Sequence, residues 1–190
     1  MDKKGQNNSY IATRRGFLQN GLQLAVGIGA CTVPDILLAA SKLDKRSLSF
    51  YHTHTQKELS LTYAIGRRYS HKALLKINNY LGDFRTGETH PIDPQLLDIL
   101  WAIQKRSRKK GIFSVISGYR SQATNKCLRA NSTSVARQSL HMQGKAIDVR
   151  FSELSTDQLQ YYALDLRAGG VGYYPDSDFI HLDTGKYRSW

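Results

Sequence analysis

The stretch Ser139-Leu-His141-Met-Gln-Gly144-Lys-Ala-Ile-Asp148-Val-Arg-Phe151 decides how this chain is read. From Ala146 to Phe151, small or apolar residues alternate with polar ones, the period of a half-buried strand. That pattern puts Asp148 on the strand and His141 in the loop before it, with Gly144 turning the backbone tightly between them. A second stretch, Phe179-Ile-His181-Leu-Asp183-Thr-Gly185, also reads as a strand, and residues two apart on it, His181 and Asp183, project from one face. Two histidines and one carboxylate are the donor set of a catalytic zinc that keeps a position open. The other reading of the same spacing is a pair of buried His–Asp hydrogen bonds.

Outward from these strands the elements alternate. Ser47–His52 and Leu59–Tyr63 flank Thr55–Glu58 as a hairpin, and His52 and His54 share a strand face there as an exposed edge pair. A short helix follows His71, which with His90 reads as a surface histidine. Asp93-Pro94 supplies an N-cap and a first-turn proline for a helix to about Lys110. Leu96, Leu97, Leu100, Trp101 and Ile103 form its buried stripe, and the cations Lys105 to Lys110 its C-terminal end, closed by Gly111. Phe113–Ile116 is a strand running into Ser117-Gly-Tyr-Arg120-Ser, where Arg120 is either a surface charge or a clamp for a carboxylate. Thr124–Arg129 is helical, and the serine-rich, basic residues 130–139 read as a lip over the site. A helix from Thr156 to about Arg167 and a last hairpin, Val171–Tyr174 with Phe179–Asp183, complete the chain.

With 190 residues there is room for one domain of ordinary size. The 27 Lys and Arg against 15 Asp and Glu give a net charge of +12, which suits nucleic acid, acidic lipid or an acidic wall polymer. No zinc-finger spacing or aromatic RNA-binding signature is present, so nucleic acid is the least favoured of these. Two cysteines, Cys31 and Cys127, exclude a disulfide-built scaffold. No serine stands in a strand–turn–helix elbow, and Cys127 has no adjacent base, so nucleophilic catalysis has no candidate.

Thr13-Arg14-Arg15-Gly16-Phe17-Leu18-Gln19 and the apolar stretch from Leu22 to Ala40 resemble a twin-arginine export signal. Residues 1–41 are read as that signal and 42–190 as the exported domain, placed in the periplasm. The uninterrupted apolar run, Leu24 to Val33, is short for a bilayer span. Ala39-Ala40-Ser41 offers a cleavage site and Cys31 a loose lipidation site, and an uncleaved or lipidated leader would leave the protein associated with the membrane.

Four motifs together resemble the peptidase M15 superfamily. They are Ser117-Gly-Tyr-Arg120-Ser, Ser139-x-His141-x-x-Gly144-x-Ala146-x-Asp148, Gly170-Val-Gly-Tyr-Tyr-Pro, and His181-x-Asp183-Thr-Gly185 with Arg188-Ser-Trp190. The similarity is strongest to its branch of exported murein endopeptidases and covers roughly residues 45–190. The resemblance implies an α+β fold with a small central antiparallel sheet flanked by helices, like the D-Ala-D-Ala peptidase and Hedgehog domains. It implies zinc held by His141, Asp148 and His181, substrate binding by Arg120 and Ser117, and peptidoglycan peptides as substrate; the expected state, a monomer, is a separate reading. Many members carry the general base three residues before the last ligand. Here that position is Asp178, a shorter acid in a turn, so Asp183 is the favoured base, its other role being to orient a zinc-bound histidine. A peptidoglycan-binding module that keeps the fold without turnover is the second reading, and a basic nucleic-acid-binding protein the third.

Overall fold

Alternating apolar side chains along short strands build one sheet and leave its other face for chemistry. The computed structural model describes residues 44–131 and 135–190. The twin-arginine stretch, the apolar run after it and Cys31 lie outside the described residues. Among those residues the strands are β1 (Lys45–His52), β2 (Glu58–Ile65), β3 (Arg68–Tyr69), β4 (Phe113–Ser117), β5 (Ala146–Phe151), β6 (Gly170–Tyr174), β7 (Phe179–Asp183) and β8 (Arg188–Ser189). They form a single sheet in the order β3-β2-β1-β4-β5-β7-β6-β8. The helices are α1 (His71–Tyr80), α2 (Pro94–Ser107), α3 (Gln122–Asn131) and α4 (Thr156–Leu166).

The class is α+β, as the sequence reads, with a larger sheet than the small one expected. Most neighbours are antiparallel, but β1 and β4 run parallel, as do β6 and β8. The first parallel pair follows from the long connection through α1 and α2, which returns the chain in the same direction. β8 has two residues, too few for any alternation to show in the sequence.

Leu48 and Phe50 of β1, Phe113 and Val115 of β4, Ile147 and Val149 of β5, and Ile180 and Leu182 of β7 are buried in one apolar core. Onto it α1 contributes Ile77, α2 contributes Leu96, Leu97, Leu100 and Ile103, and α4 contributes Leu159 and Ala163. Period 2 then sends the intervening residues, Asp148, His181 and Asp183 among them, to the opposite face. β5 lies near the middle of the sheet, so five of its six residues are buried rather than half of them. The alternation in its sequence separates two covered faces, one apolar and one polar.

Two capping motifs fix the helices that frame the site. Asp93 accepts from Gln95 N at 3.0 Å to start α2, and Ser155 and Gln158 form a reciprocal capping box on α4. Helix α2 ends at Ser107, three residues before the expected end. Arg108 takes the left-handed conformation that closes it, and Gly111 lies in the loop to β4. Trp101 is only half-buried, with the Lys105 ammonium 5.3 Å from its ring centre.

Candidate metal centre

Sheet register sets the first residues of the site in a row. Ser117 of β4 pairs with Asp148 of β5, Asp148 with His181 of β7, and His181 with Gly172 of β6. Cross-strand partners lie on one face, so Asp148 and His181 meet without any help from a loop. A register shift between Val115 and Ser117 brings the end of β4 into that row. His141 reaches it from a short 3-10 turn, Leu140–Gln143, started by Ser139 and stopped by Gly144 at φ 64°. A Cβ at position 144 would sit 2.1 Å from the Pro91 carbonyl, so no other residue fits between this turn and the loop before α2.

Hydrogen-bond partners fix where the protons lie. His141 Nδ1 is 2.7 Å from the Gly118 carbonyl, which can only accept, so Nδ1 carries the hydrogen and Nε2 presents a lone pair. His181 Nε2 is 3.0 Å from Asp183 Oδ2, a carboxylate oxygen, so His181 Nδ1 presents the lone pair of that ring. Those two nitrogens lie 3.2 Å apart. Asp148 Oδ1 is 3.2 Å from His141 Nε2 and 2.8 Å from His181 Nδ1. In the neutral rings, three buried lone pairs thus point at one another, an arrangement that repels unless a cation or a proton stands among them. The donor set, two imidazoles and a carboxylate with their other atoms held by hydrogen bonds, fits zinc.

The titration behaviour of the three follows from the same crowding. Burial holds His141 below the usual histidine range, and the Arg120 and His181 charges act the same way against the pull of Asp148. For His181 burial also opposes charge, but hydrogen bonds to Asp148 and Asp183 outweigh it and raise the pKa. Burial alone would raise Asp148, yet the His141 charge, the histidine hydrogen bonds and the Arg120 charge hold it well below the usual carboxylate range. Asp148 is therefore ionised at neutral pH, and a proton on His181 competes with a metal for the centre.

Neither candidate base stands free in the cleft. Asp183 is wholly buried behind His181. Its oxygens accept from His181 Nε2, from the backbone N–H of Gly170 (3.1 Å) and Gly185 (2.8 Å), and from both terminal nitrogens of Arg188 (3.1 and 2.7 Å). A carboxylate so saturated orients a ring and has no lone pair to offer a water molecule. Asp178 lies at the exposed tip between β6 and β7, bonded to the Thr156 hydroxyl and 3.2 Å from Arg150 Nε. Arg120 does reach the site. Its Nη2 donates to Asp148 Oδ2, and its Nε donates to Ser117 Oγ at 2.7 Å. Ser117 itself is buried and absent from the cleft wall, so it meets the site only through Arg120.

Over the centre opens a cleft of about 560 Å³, walled by Arg120, Tyr174, Phe179, Arg188 and Trp190. Sequence reading gives Arg188 and Trp190 no role, yet both serve the site. Gly172 ends the row of paired residues without a side chain, and a Cβ there would stand 2.7 Å from the Trp190 indole. The indole lies in that space, 5.4 Å from the His181 ring centre, and donates its N–H to Tyr174 at 2.9 Å. The glycine in Gly170-Val-Gly-Tyr-Tyr is the signal that could have located the tryptophan. Val135, Ala136, Gln138 and Ser139 of the expected lip line the cleft, and residues 132–134 lie outside the described residues.

The remaining histidines are elsewhere. His52 is not the exposed edge residue expected, because β1 lies inside the sheet between β2 and β4. It is 1 % exposed, and its Nδ1 accepts from the backbone of His54 and Thr55. His54 is exposed and stacks on Phe84 at 4.1 Å. His71 is exposed, and His90 is half-buried against Tyr119.

Against known proteins, the M15 peptidase profile described as "Peptidoglycan L,D-endopeptidase MepK" matches residues 40–190. The protein of that name from Escherichia coli K12 is 36% identical over 184 residues, spanning 96% of this chain and all of the relative. The "Probable peptidoglycan L,D-endopeptidase MepK" of Haemophilus influenzae is 37% identical over 185 residues, 96% of this chain and 98% of the relative. No solved structure matches the chain.

Proposed function

Because the chain belongs to the M15 peptidase family described as peptidoglycan L,D-endopeptidase MepK, we propose that it is an exported zinc peptidase. It hydrolyses peptides of peptidoglycan at bonds joining an L to a D centre, in the periplasm, after export through its twin-arginine leader. The observation that carries the proposal is the convergence of three lone pairs, from His141 Nε2, Asp148 Oδ1 and His181 Nδ1, on the floor of an open cleft.

These three residues would hold the ion, and zinc supplies there a Lewis acid for the scissile carbonyl and an acidified water as nucleophile. The protein's own groups do the positioning. Asp183 holds the proton on His181 Nε2 and so keeps Nδ1 aimed inward, with Arg188 neutralising the buried carboxylate. Asp183 is thus assigned a positioning role in place of the base. Arg120 fixes Asp148 through Oδ2 while its guanidinium also faces the cleft, where it meets a substrate carboxylate or the oxyanion that develops at the carbonyl. Ser117 keeps Arg120 in that orientation. Tyr174, Phe179 and Trp190 give one wall an apolar, partly dry surface for the peptide.

The test is bound zinc measured by mass spectrometry, together with digestion of purified muropeptide dimers with and without chelator. The expected result is one zinc per chain and loss of dimers that chelator abolishes and zinc restores, with product masses that name the bond. Wall binding without any product, unaffected by chelator, would instead establish a non-catalytic module.

A further inference from the structure

We infer that the end of the sheet opposite the metal centre is a docking face for an anionic membrane surface. Strand polarity separates the two. β1 and β4 run parallel, and β4 ends at Ser117 beside the centre after starting at Phe113. Its five residues span roughly 17 Å. At the starting end of these strands two grooves, of about 440 and 610 Å³, meet along Trp101 and Asp44.

The composition of this face is that of a membrane interface. Lys45, Lys105, Lys109 and Lys110 line one groove and Arg67 the other, all exposed. The acid lining these two grooves is Asp44, 3.3 Å from Lys105; Asp98 beside them is bonded to Arg46 and to the Tyr69 hydroxyl, and Lys109 also borders a neighbouring groove with Glu153 and Asp157. Among the cations stand the half-buried Trp101, Tyr69 and Ile112, the last two each 40% exposed. Cations close to an anionic headgroup layer, with Trp, Tyr and an aliphatic side chain at its depth, are what a peripheral membrane contact uses. A soluble polyanion would engage the same charges but would leave Ile112 in water.

The chain itself points to the same occupant. Residues 1–43, with their apolar run Leu24–Val33, join the domain at Asp44, which lines both grooves. A leader held by a membrane would bring this face to the bilayer and turn the cleft, at the far ends of the strands, away from it. Only this last argument rests on the export reading. The chemistry of the face is independent of catalysis.

The test uses the full chain with vesicles of phosphatidylcholine carrying bromine on the acyl chains, with and without phosphatidylglycerol. Trp101 fluorescence is isolated as the difference between the native protein and Trp101→Phe. Quenching is expected on phosphatidylglycerol vesicles, reversed by high salt. Lys45→Glu, Lys105→Glu, Lys109→Glu and Lys110→Glu combined should lower partitioning about 100-fold or more. The leader is common to both proteins, so the difference reports the face. Hydrolysis of soluble muropeptides and the melting temperature serve as controls on the variant. Unquenched Trp101 in the native protein overturns the inference even if the variant fails to fold. So does a variant that loses binding to DNA or murein sacculi but not to vesicles.

Discussion

Two pairs of histidines, His52 with His54 and His141 with His181, look alike in sequence and differ in what the structure makes of them. Both pairs have rings close together, with centres 6.0 and 5.0 Å apart. In the first pair His52 Nδ1 turns back to accept from the backbone, Nε2 is buried without a partner, and His54 stacks on a phenylalanine. In the second, each ring gives one nitrogen to an outside acceptor, Gly118 O or Asp183, and aims the other at Asp148. A metal centre therefore depends on what the far nitrogen touches as much as on the near ones. Proximity of histidines alone is packing.

The largest expected effects break the comparison directly. Asp148→Ala or His181→Ala should remove bound zinc and lower muropeptide hydrolysis about a thousandfold or more. His52→Ala should leave zinc content at the native level and activity within a few fold, though the small side chain will cost stability in the core. Metal analysis and product assays on the three proteins decide it. Zinc lost from His52→Ala, or kept by Asp148→Ala, would erase the distinction.

A smaller effect sharpens it. Asp183→Asn keeps the shape of the side chain but cannot accept from His181, Arg188 and two backbone N–H groups at once. If Asp183 orients His181, zinc affinity should fall about 10- to 100-fold, with activity partly restored by excess zinc. A base would give the opposite pattern, native zinc affinity with activity lost at any zinc concentration. Competition with a chromophoric chelator, run beside kcat measurements, separates the two.

Much of this contrast is legible in the chain, and the rest is hidden for physical reasons. Strand alternation in Ala146–Phe151 and Phe179–Asp183 places Asp148 and His181 on polar faces, and the observed pairing makes those faces one. Gly144 marks the turn that delivers His141. Non-local pairing is what the sequence does not display. That β1 is interior, which buries His52, depends on its parallel contact with β4, a strand that begins 61 residues after β1 ends at His52 and is reached only through β2, β3 and two helices. Whether Asp183 faces the cleft or the interior likewise depends on Arg188 and Gly170, which no local pattern ties to it. Trp190 is placed by a strand of two residues.

The smallest effect concerns the non-metal pair and its neighbour Asp83, which shares a groove wall with His52. Asp83 accepts from Ser121 N (2.9 Å) and Arg85 N (3.0 Å). Although burial works to raise its pKa, hydrogen bonds from Thr124, Ser121 and Arg85 hold it down at about 2. A carboxylate depressed in the folded state stabilises the protein above its unfolded pKa, near 3.8, and that contribution, about 2 kcal/mol, is lost as pH falls toward 2. His52 acts in a higher window. Burial first, and the neighbouring His54 charge, lower its pKa, so the unfolded chain takes up the proton more readily and stability declines as pH drops below about 6.5. Denaturant titrations across pH should therefore show two acid limbs, the lower one flattened in Asp83→Asn and the upper one in His52→Phe. Neither group touches the metal centre, so saturating zinc should raise the whole stability curve where the centre is deprotonated and leave both differences between native and variant unchanged. A His52 limb that shrinks when zinc is added would mean that this ring does communicate with the metal after all.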